Sequence, residues 1–267
     1  MAAVSDRPAL LLVGGGRMGE ALLGGLIAAG RAPGELAVAE VSAARREQLT
    51  AAHPGIAVVE APVPATAAVI AVKPADVAAV TRAAADAGVE RVLSVAAGVT
   101  TKAIEDAAGR RLRVVRAMPN TPALIGAGAA AISPGAAAGD DDLAWAEEVL
   151  GAVGVVVRVP EKLLDAVTGL SGSGPAYVFL VAEALVEAGV LAGLPRDVAE
   201  TLAFQTLLGA ARLLADGDDG PAALRAAVTS PGGTTAAGLR ELERHGVRAA
   251  FLDAVTAAAE RSRELGG

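Results

Sequence analysis

The sequence contains no cysteine and very few aromatic residues. The absence of cysteine excludes disulfide bonds, thiolate nucleophiles and cysteine-ligated metals. Only two histidines are present, His53 and His245, and they stand in different settings, so we expect no metal site. Because aromatic residues make up 2% of the chain and hydrophobic residues 53%, the core must be built mainly from Ala, Val and Leu.

Positive charge is also scarce, since the formal net charge is -7. A nucleic-acid partner requires a basic face, so none is expected. The first apolar run, Ala9–Val13, is too short for a secretory signal and ends in glycines. The longest later stretch, Pro175–Leu194, carries Glu183 and Glu187 and should make a poor membrane span. We therefore expect a soluble, cytoplasmic protein.

Short β-like runs alternate with helical stretches in the first part of the chain. Helices are predicted at Gly19–Ala29, Ala43–Ala52 and Ala75–Ala87. This alternation is typical of a mostly parallel sheet covered by helices on both faces. Strands are predicted at Ala9–Val13, Leu36–Glu40, Ala57–Val59, Ala68–Val72, Arg91–Ala96, Val114–Met118, Ala127–Ile132 and Val155–Val159.

The strand pattern stops near Pro160, and only helical patterns follow. The sequence thus predicts an α/β domain over residues 1–160 and an all-α domain over residues 161–267. Three of the later helices begin with proline at or near the first helical position, where its missing N–H has no consequence. The predicted helices are Pro175–Ala192, Pro195–Ala215, Pro221–Val228, Ala236–His245 and Val247–Leu265.

The helix that begins at Pro175 is apolar on almost every side, with Phe179, Leu180 and Leu185 among its residues. Such a helix must be buried all round, and a domain of this size can rarely achieve that alone. We therefore expect a homo-oligomer, a homodimer or an assembly of dimers. The alternative is a central helix within a monomer.

The run Gly14-Gly15-Gly16-Arg17-Met18-Gly19 matches the dinucleotide-binding pattern G-x-G-x-x-G and lies between a predicted strand and helix. In that pattern the first glycine allows the tight turn, the second lets the pyrophosphate approach the backbone, and the third permits close helix–strand contact. The N–H groups of the following helix then face the phosphates. The alternative is a glycine-rich turn without a ligand.

Glu40 ends the second predicted strand, where an acid can bind the ribose 2′-hydroxyl of NAD and repel the 2′-phosphate of NADP. Ser42, Arg45 and Arg46 follow at once and could instead bind that phosphate. The two arginines could equally be solvated helix residues. The residues themselves leave the choice of nucleotide open.

Three further loops follow predicted strands: Ala71-Val72-Lys73-Pro74, Ser94–Thr100 and Met118–Pro122. In an open parallel sheet the carboxyl ends of the strands form the ligand-binding edge. The helical half adds Gly169–Tyr177 and Thr229–Thr235, which are rich in glycine and hydroxyl groups. Hydroxyls and consecutive N–H groups at a helix start can hold a carboxylate, although simple N-capping by Thr234 or Thr235 would be the structural alternative.

Together these segments resemble, in order, the signature blocks of the pyrroline-5-carboxylate reductase family. The resemblance covers essentially the whole chain, and its most diagnostic parts are Asp165–Tyr177 and Ser230–Thr235. It implies a Rossmann-type N-terminal domain, a helical C-terminal dimerisation domain, and reduction of 1-pyrroline-5-carboxylate to L-proline. The implied cofactor is NADPH, with NADH as the alternative, because many relatives have a small or hydroxyl residue where this chain has Glu40.

The resemblance also implies roles for individual residues. Thr235 is the expected catalytic residue, hydrogen-bonded to the ring nitrogen. The substrate would be held by Glu161, Ser230, Gly232, Gly233, Thr234 and Thr235. The cofactor would be held by Gly14, Gly15, Gly16, Arg17, Met18, Gly19, Glu40, Ser42, Ala71, Val72, Lys73, Pro74, Val95, Ala96, Ala97 and Asn120.

Two other functions compete with this interpretation. A related β-hydroxyacid dehydrogenase would need a His or Lys base, and Lys73 is the one serious candidate, although its abrupt Lys-Pro turn fits cofactor contact better. Another imine reductase would share the architecture. A non-catalytic NAD(P)-sensing protein would need the dinucleotide turn but not the loop Ser230–Thr235.

Overall fold

A computed structural model describes residues 8–265 of the chain. The outer ends of the two predicted domains, residues 1–7 and 266–267, lie outside the described residues. The chain forms two compact units: the first contains the residues up to Ser173 and those from Thr256 onward, and the second contains Gly174–Val255. The predicted domain boundary at residue 160 stays a prediction. The boundaries between the two compact units lie after Ser173 and after Val255.

The first unit contains an eight-stranded sheet in the order β3-β2-β1-β4-β5-β6-β7-β8. All neighbours are parallel except β6 and β7, which confirms the mostly parallel sheet. The strand order reverses at β1, which lies between β2 and β4, and such a switch point is where open α/β sheets bind ligands. The strands are β1 Leu10–Val13, β2 Leu36–Ala39, β3 Ala57–Val59, β4 Ala67–Ile70, β5 Arg91–Ser94, β6 Arg113–Met118, β7 Gly128–Pro134 and β8 Gly154–Arg158.

Helices cover both faces of this sheet. Side chains alternate along β1, so that Leu10 and Leu12 join one buried cluster while Leu11 and Val13 join another. The central strands are therefore buried on both faces, as a parallel sheet requires, while β8 at the edge leaves Val155 and Val157 exposed. The helices of this unit are α1 Arg17–Ala28, α2 Ala43–Ala52, α3 Val77–Asp86, α4 Thr101–Ala108, α5 Asp140–Gly151 and α6 Leu164–Val167, and the unit also includes the end of α11 Val247–Leu265.

The second unit is entirely helical in its described residues and buries very little of its own apolar surface. Its buried cluster consists of Val186, Ala199 and Ala203. The apolar residues Phe179 and Leu180 of α7 are 64% and 65% exposed in the single chain. The central helix of a monomer is therefore excluded as an interpretation of α7. The helices are α7 Gly174–Leu191, α8 Arg196–Asp216, α9 Pro221–Ala227, α10 Thr234–Arg244 and the first half of α11.

Candidate active site

The glycine-rich turn between β1 and α1 is closed on one side and open on the other. Gly14 has a φ of 104°, and a Cβ there would lie 2.5 Å from the carbonyl oxygen of Ala71. A Cβ on Gly19 would overlap the carbonyl oxygen of Gly14, so α1 can begin this close to the turn only with glycine. A Cβ on Gly16 would meet no atom within 4 Å, and no side chain caps α1. The open face fits a pyrophosphate bound to the uncapped N–H groups.

The segment after β2 holds the peptide of Gly15 from both sides. The N–H of Gly15 donates to Glu40 Oε2 at 2.9 Å, and its carbonyl accepts from Arg45 Nε at 2.7 Å. The other oxygen of Glu40 accepts from the N–H of Ser42 at 2.8 Å. The hydroxyl of Ser42 caps α2 by accepting from the N–H of Arg45. Glu40 and Ser42 therefore lie beside the glycine-rich turn, and their predicted contact with the cofactor stays a prediction.

The loop after β4 packs directly against this turn. The N–H of Ala71 donates to the carbonyl of Val13 at 2.8 Å, and its own carbonyl lies beneath Gly14. The side chain of Val72 would be 3.0 Å from a Cβ on Gly14. The loop after β5 continues the same edge, since the N–H of Val95 donates to the carbonyl of Ile70. The ends of β1, β4 and β5 thus form one continuous edge.

A cavity of about 330 Å³ lies at this edge, within the first unit. It combines two of the predicted loops with the Asp165–Tyr177 block and with the end of α11, where no sequence feature predicts a site. The hydroxyl of Ser262 donates to Asp165 Oδ1 at 2.7 Å and ties that helix end to the wall of the cavity. The lining residues are Pro74, Ala97, Gly98, Thr168, Ser173, Ala258, Arg261, Ser262 and Leu265.

The predicted loop that leads into the helix at Pro175 is wrong for Gly169–Gly172, which are already helical, whereas the helix itself begins close to the predicted position. Residues Thr168–Gly172 form a five-residue π-helix, in which the N–H of Ser173 donates to the carbonyl of Thr168, and α7 begins at Gly174. A Cβ at position 172 would lie 2.6 Å from Met118 Cε, the end of a flexible side chain that would have to shift. Single-turn π-helices of this kind are frequent at functional sites.

Asn120 joins this π-helix to the sheet. Its Nδ2 donates to the carbonyl of Ser171 at 3.0 Å, and its Oδ1 accepts from the N–H of Ala129 at 2.8 Å. Both the donor and the acceptor of the Asn120 side chain therefore form hydrogen bonds within the protein. Its predicted contact with the cofactor stays a prediction, and any effect of Asn120 through the π-helix would be one of positioning.

Glu161 is bound by three donors of the first unit. The N–H and the hydroxyl of Thr101 each donate to its carboxylate at 2.7 Å, and Arg116 Nη1 lies 3.1 Å away. Burial alone would raise the pKa of Glu161, but the hydrogen bonds from Thr101 and Arg116 outweigh it and hold the pKa below its usual value. In this structure the carboxylate joins α4 to β6, and its predicted contact with substrate stays a prediction.

Replacing Glu161 by glutamine should destabilise the first unit by about 1–3 kcal/mol at neutral pH, because Arg116 is only 7% exposed and would lose its charge partner. A lowered pKa means that the carboxylate stabilises the fold above pH 4.5 and that this contribution is lost as the pH falls through the folded-state pKa. Urea unfolding against pH should therefore show the two proteins converging in acid. Glu147→Gln, at an exposed pair with Arg158, is the control and should change stability less.

The Ser230–Thr235 segment of the second unit is a tight turn that leads directly into α10. The N–H of Gly233 donates to the carbonyl of Ser230 at 3.0 Å, and Gly232 has a φ of 68°. Proline followed by a glycine of positive φ is typical of a type II turn, which explains the Pro-Gly pair.

Simple N-capping by the two threonines is excluded. The N-cap is Gly233, and no side chain caps the helix. Thr234 and Thr235 are the first two helical residues, and neither hydroxyl has a hydrogen-bond partner within the part of the chain that the structure describes. Uncapped N–H groups and free hydroxyls at a helix start can bind a carboxylate.

A mostly parallel sheet with a glycine-rich turn of the dinucleotide-binding pattern at its switch point, followed by a helical unit, is typical of a dinucleotide-dependent oxidoreductase. Residues 161–265 match the family profile described as pyrroline-5-carboxylate reductase dimerisation, and residues 9–98 match that of the coenzyme F420-dependent NADP oxidoreductases. The chain is 47% identical to the pyrroline-5-carboxylate reductase of Synechocystis, over 96% of this chain and 97% of that protein. The chain belongs to the pyrroline-5-carboxylate reductase family.

Solved structures agree with this assignment. The pyrroline-5-carboxylate reductase of Coxiella burnetii superposes with a TM-score of 0.92 at 38% identity, over 97% of this chain and 99% of the other. The Plasmodium falciparum pyrroline carboxylate reductase, solved with NADP bound, superposes with a TM-score of 0.84 at 28% identity, over 98% and 99% of the two chains. The Rossmann-type domain and the helical dimerisation domain implied by the sequence are confirmed.

Proposed function

We propose that this chain reduces 1-pyrroline-5-carboxylate to L-proline, the last step of proline biosynthesis, with NADPH as hydride donor and NADH as the alternative. The observation that carries the proposal is the Ser230–Thr235 turn. It offers uncapped N–H groups and two free hydroxyls in a chain whose relatives at 41–47% identity are named pyrroline-5-carboxylate reductases. The uncapped N–H groups can bind the carboxylate of the cyclic imine, and a free hydroxyl can form a hydrogen bond with its ring nitrogen.

The cradle around the glycine-rich turn fits a dinucleotide. Gly14 and Gly19 approach backbone carbonyls too closely for a side chain, while Gly16 faces open space. We assign the pyrophosphate to Gly14–Gly19 and the nicotinamide end to Ala71–Pro74 and Val95–Ala97. The P. falciparum relative was solved with NADP bound, which supports NADPH as the cofactor of this chain.

A protonated cyclic imine is already an electrophile, so the protein needs to supply little acid catalysis. Bound NADPH supplies the hydride. Ser230, Gly232, Gly233 and Thr234 bind the carboxylate, which orients the ring, and positioning of this kind contributes roughly 7–11 kcal/mol to lowering a barrier. The hydroxyl of Thr235 hydrogen-bonds the ring nitrogen and holds its proton there. As the C=N double bond is reduced, its electron pair moves to that nitrogen, which becomes the amine of proline.

The competing reactions differ in the base they require. Oxidation of a hydroxyacid needs a His or Lys that takes the hydroxyl proton. Lys73 lies at the cofactor edge, as the N-cap of the turn Pro74–Asp76, where we assign it to cofactor contact. A non-catalytic NAD(P)-sensing protein would have no use for free hydroxyls at the start of α10.

Steady-state kinetics with purified protein test the proposal. Oxidation of NADPH should depend on pyrroline-5-carboxylate and saturate with it. The same protein with NAD⁺ or NADP⁺ should show no comparable turnover of 2-hydroxy or β-hydroxy acids. Turnover of the hydroxy acids alone would establish the alternative enzyme, and nucleotide binding without turnover of either class would establish the sensor.

We further propose that a second copy of the chain covers the apolar helices of the second unit, in a homodimer or an assembly of dimers located in the cytoplasm. By length and composition alone, the helical stretches Glu161–Leu191 and Arg196–Asp216 could cross a membrane. These two properties therefore do not support the expectation that the apolar helix is a poor membrane span. The match of residues 161–265 to a dimerisation domain favours protein over lipid as the covering partner. The net charge of -7 disfavours nucleic acid.

Replacing Leu180 by glutamate should dissociate the assembly, because a charge placed in an apolar interface loses its solvation without gaining a partner. Light scattering coupled to gel filtration should give at least twice the mass of one chain for the wild type and a smaller mass for the variant. The control is Ile125→Asp, which alters an exposed apolar residue of the first unit and should leave the mass unchanged. A wild type that is monomeric in buffer, or that requires detergent, would contradict the proposal.

A further inference from the structure

One face of the last two turns of α11 lines the cavity at the cofactor edge. The α11 residues in the cavity wall are spaced three and four positions apart, which places them on the same side of the helix. The cavity is also lined by Pro74, Ala97 and Gly98, from the loops after β4 and β5 to which we assign the nicotinamide end of the cofactor. The end of α11 therefore borders the space beside the nicotinamide. Its lining residues are Ala258, Arg261, Ser262 and Leu265.

Ser262 is the buried residue of α11, at 5% exposure. A buried hydroxyl requires a hydrogen-bond partner. The hydroxyl of Ser262 donates to Asp165 Oδ1 at 2.7 Å, a length typical of a hydroxyl bound to a carboxylate. The charged residues around it are exposed, namely Glu260, Arg261, Arg263 and Glu264.

Ser262 differs in this contact from other helical hydroxyls of the chain. Five of them donate to the carbonyl four residues earlier, which is the usual local bond of Ser or Thr within a helix. Ser262 could form the same bond with the carbonyl of Ala258, but it donates to a residue 97 positions away. The contact therefore fixes where the end of α11 lies. The five hydroxyls with the local bond are those of Thr50, Thr168, Ser171, Thr201 and Thr206.

Asp165 provides a fixed anchor for this contact. It lies in α6, which packs against β6 and β7 and whose Leu164 is fully buried. The helix continues directly into the π-helix, and Thr168 and Ser173 of this segment line the cavity. One hydrogen bond thus joins two walls of the same cavity.

We propose that Ser262 and Asp165 are positioning residues of the reductase, whose hydrogen bond holds the end of α11 as the wall that confines the nicotinamide ring. This inference rests on the proposed function for the reaction and for the place of the nicotinamide. The two residues act through the shape of the cavity, and neither transfers a proton or a hydride. Loss of their hydrogen bond leaves the ring free to move away from the imine and admits water beside it.

Loss of this contact should affect turnover more than nucleotide affinity. The affinity arises mainly at the glycine-rich turn, to which we assign the pyrophosphate. The rate of hydride transfer depends on how closely the nicotinamide is held against the imine, and a displacement of about 1 Å can cost about 10²-fold. Ser262→Ala should therefore lower kcat by about tenfold, while the dissociation constant of NADPH changes little.

The experiment compares kcat, NADPH affinity and thermal unfolding among the wild type and five variants. Ser262→Ala, Asp165→Ala and the double variant should lose turnover to a similar extent, because each removes the same hydrogen bond. Ser262→Thr keeps the hydroxyl and should retain most of the turnover. Arg263→Ala is the matched control on the same helical turn. It alters an exposed residue that does not line the cavity and should leave kcat unchanged.

The fluorescence of bound NADPH supplies a second readout that requires no turnover. The emission of the nicotinamide ring increases when the ring is held rigidly and shielded from water. In Ser262→Ala the emission of bound NADPH should therefore move toward that of the free nucleotide, whereas in Ser262→Thr it should stay close to the wild-type value.

The outcomes separate the proposed positioning role from a structural one. A lower melting temperature in Ser262→Ala with normal kcat and unchanged emission would reduce the pair to a contact that stabilises the fold, and would overturn the proposal. Additive losses of turnover in the double variant would also overturn it. If the emission changes as expected while the wild type does not reduce pyrroline-5-carboxylate, the proposed function fails and the assignment of Ser262 and Asp165 stands.

Discussion

Replacing Gly14 with alanine is expected to weaken binding of the nicotinamide nucleotide by roughly a hundredfold and to lower the free energy of unfolding. The φ of 104° is strained for any residue with a Cβ, at about 1–3 kcal/mol. The added Cβ would also lie 2.5 Å from the carbonyl oxygen of Ala71 and 3.0 Å from the side chain of Val72. The turn must therefore move, and loss of two charge-assisted hydrogen bonds to phosphate, at about 1.5 kcal/mol each, gives the hundredfold factor.

Two other glycines serve as controls for this variant. Gly16→Ala places its Cβ in open space, so it should preserve stability and weaken only nucleotide binding, by occupying the face that the phosphates approach. Gly24→Ala, inside α1 and also unobstructed, should raise stability by about 0.5–1 kcal/mol and leave binding unchanged. Thermal unfolding and nucleotide titration measure both quantities. Normal nucleotide affinity in Gly14→Ala would show that the turn does not hold the cofactor.

Replacing Thr235 with alanine is expected to lower kcat by about 10²–10⁴-fold, the usual contribution of a positioned group that handles a proton. KM should change little, because the carboxylate retains Ser230 and the N–H groups at the start of α10. Circular dichroism and nucleotide affinity should match the wild type, since the hydroxyl of Thr235 forms no hydrogen bond within the described part of the chain.

Thr235→Ser should recover most of the lost turnover, because it restores the hydroxyl without the methyl group. The matched control is Thr229→Ala, six residues away, whose hydroxyl donates to the carbonyl of Arg225 and is not free for a ligand. That variant should keep normal kcat. Unchanged turnover in Thr235→Ala would remove this hydroxyl from the mechanism.

Local sequence patterns predicted the sheet and the turn well because both depend on short-range physics. The alternation in the first half produces the parallel strands, and Gly14 adopts the left-handed conformation that only glycine takes easily. The antiparallel pairing of β6 and β7 could also have been predicted from the sequence. The nine residues between Met118 and Gly128 are too few for a parallel crossover.

The helices α4 and α5 are not among the predicted ones, although the sequence contains a start signal for each. Thr100 caps α4 by accepting from the N–H of Ala103, and three aspartates begin α5. Threonine caps and acidic first turns are recognised signals of a helix start.

The remaining features depend on contacts between distant residues. The hydrogen bond between Ser262 and Asp165 spans 97 positions, and no local pattern indicates that the last helix lines the cavity. The glycines of the Asp165–Tyr177 block are typical of a loop, but Gly169 and Gly172 lie in a π-helix and Gly174 begins α7. No sequence pattern around Glu161 indicates that Thr101 and Arg116 bind its carboxylate.

The most direct test of the proposed reaction is the fate of the hydride. The protein is incubated with pyrroline-5-carboxylate and with NADPH that carries deuterium at both nicotinamide C4 positions, and the product is identified by chiral chromatography and mass spectrometry. We predict L-proline with one deuterium, on the ring carbon that shared the double bond with nitrogen. Absence of proline, or proline without deuterium, would contradict direct hydride transfer from the nicotinamide to the cyclic imine.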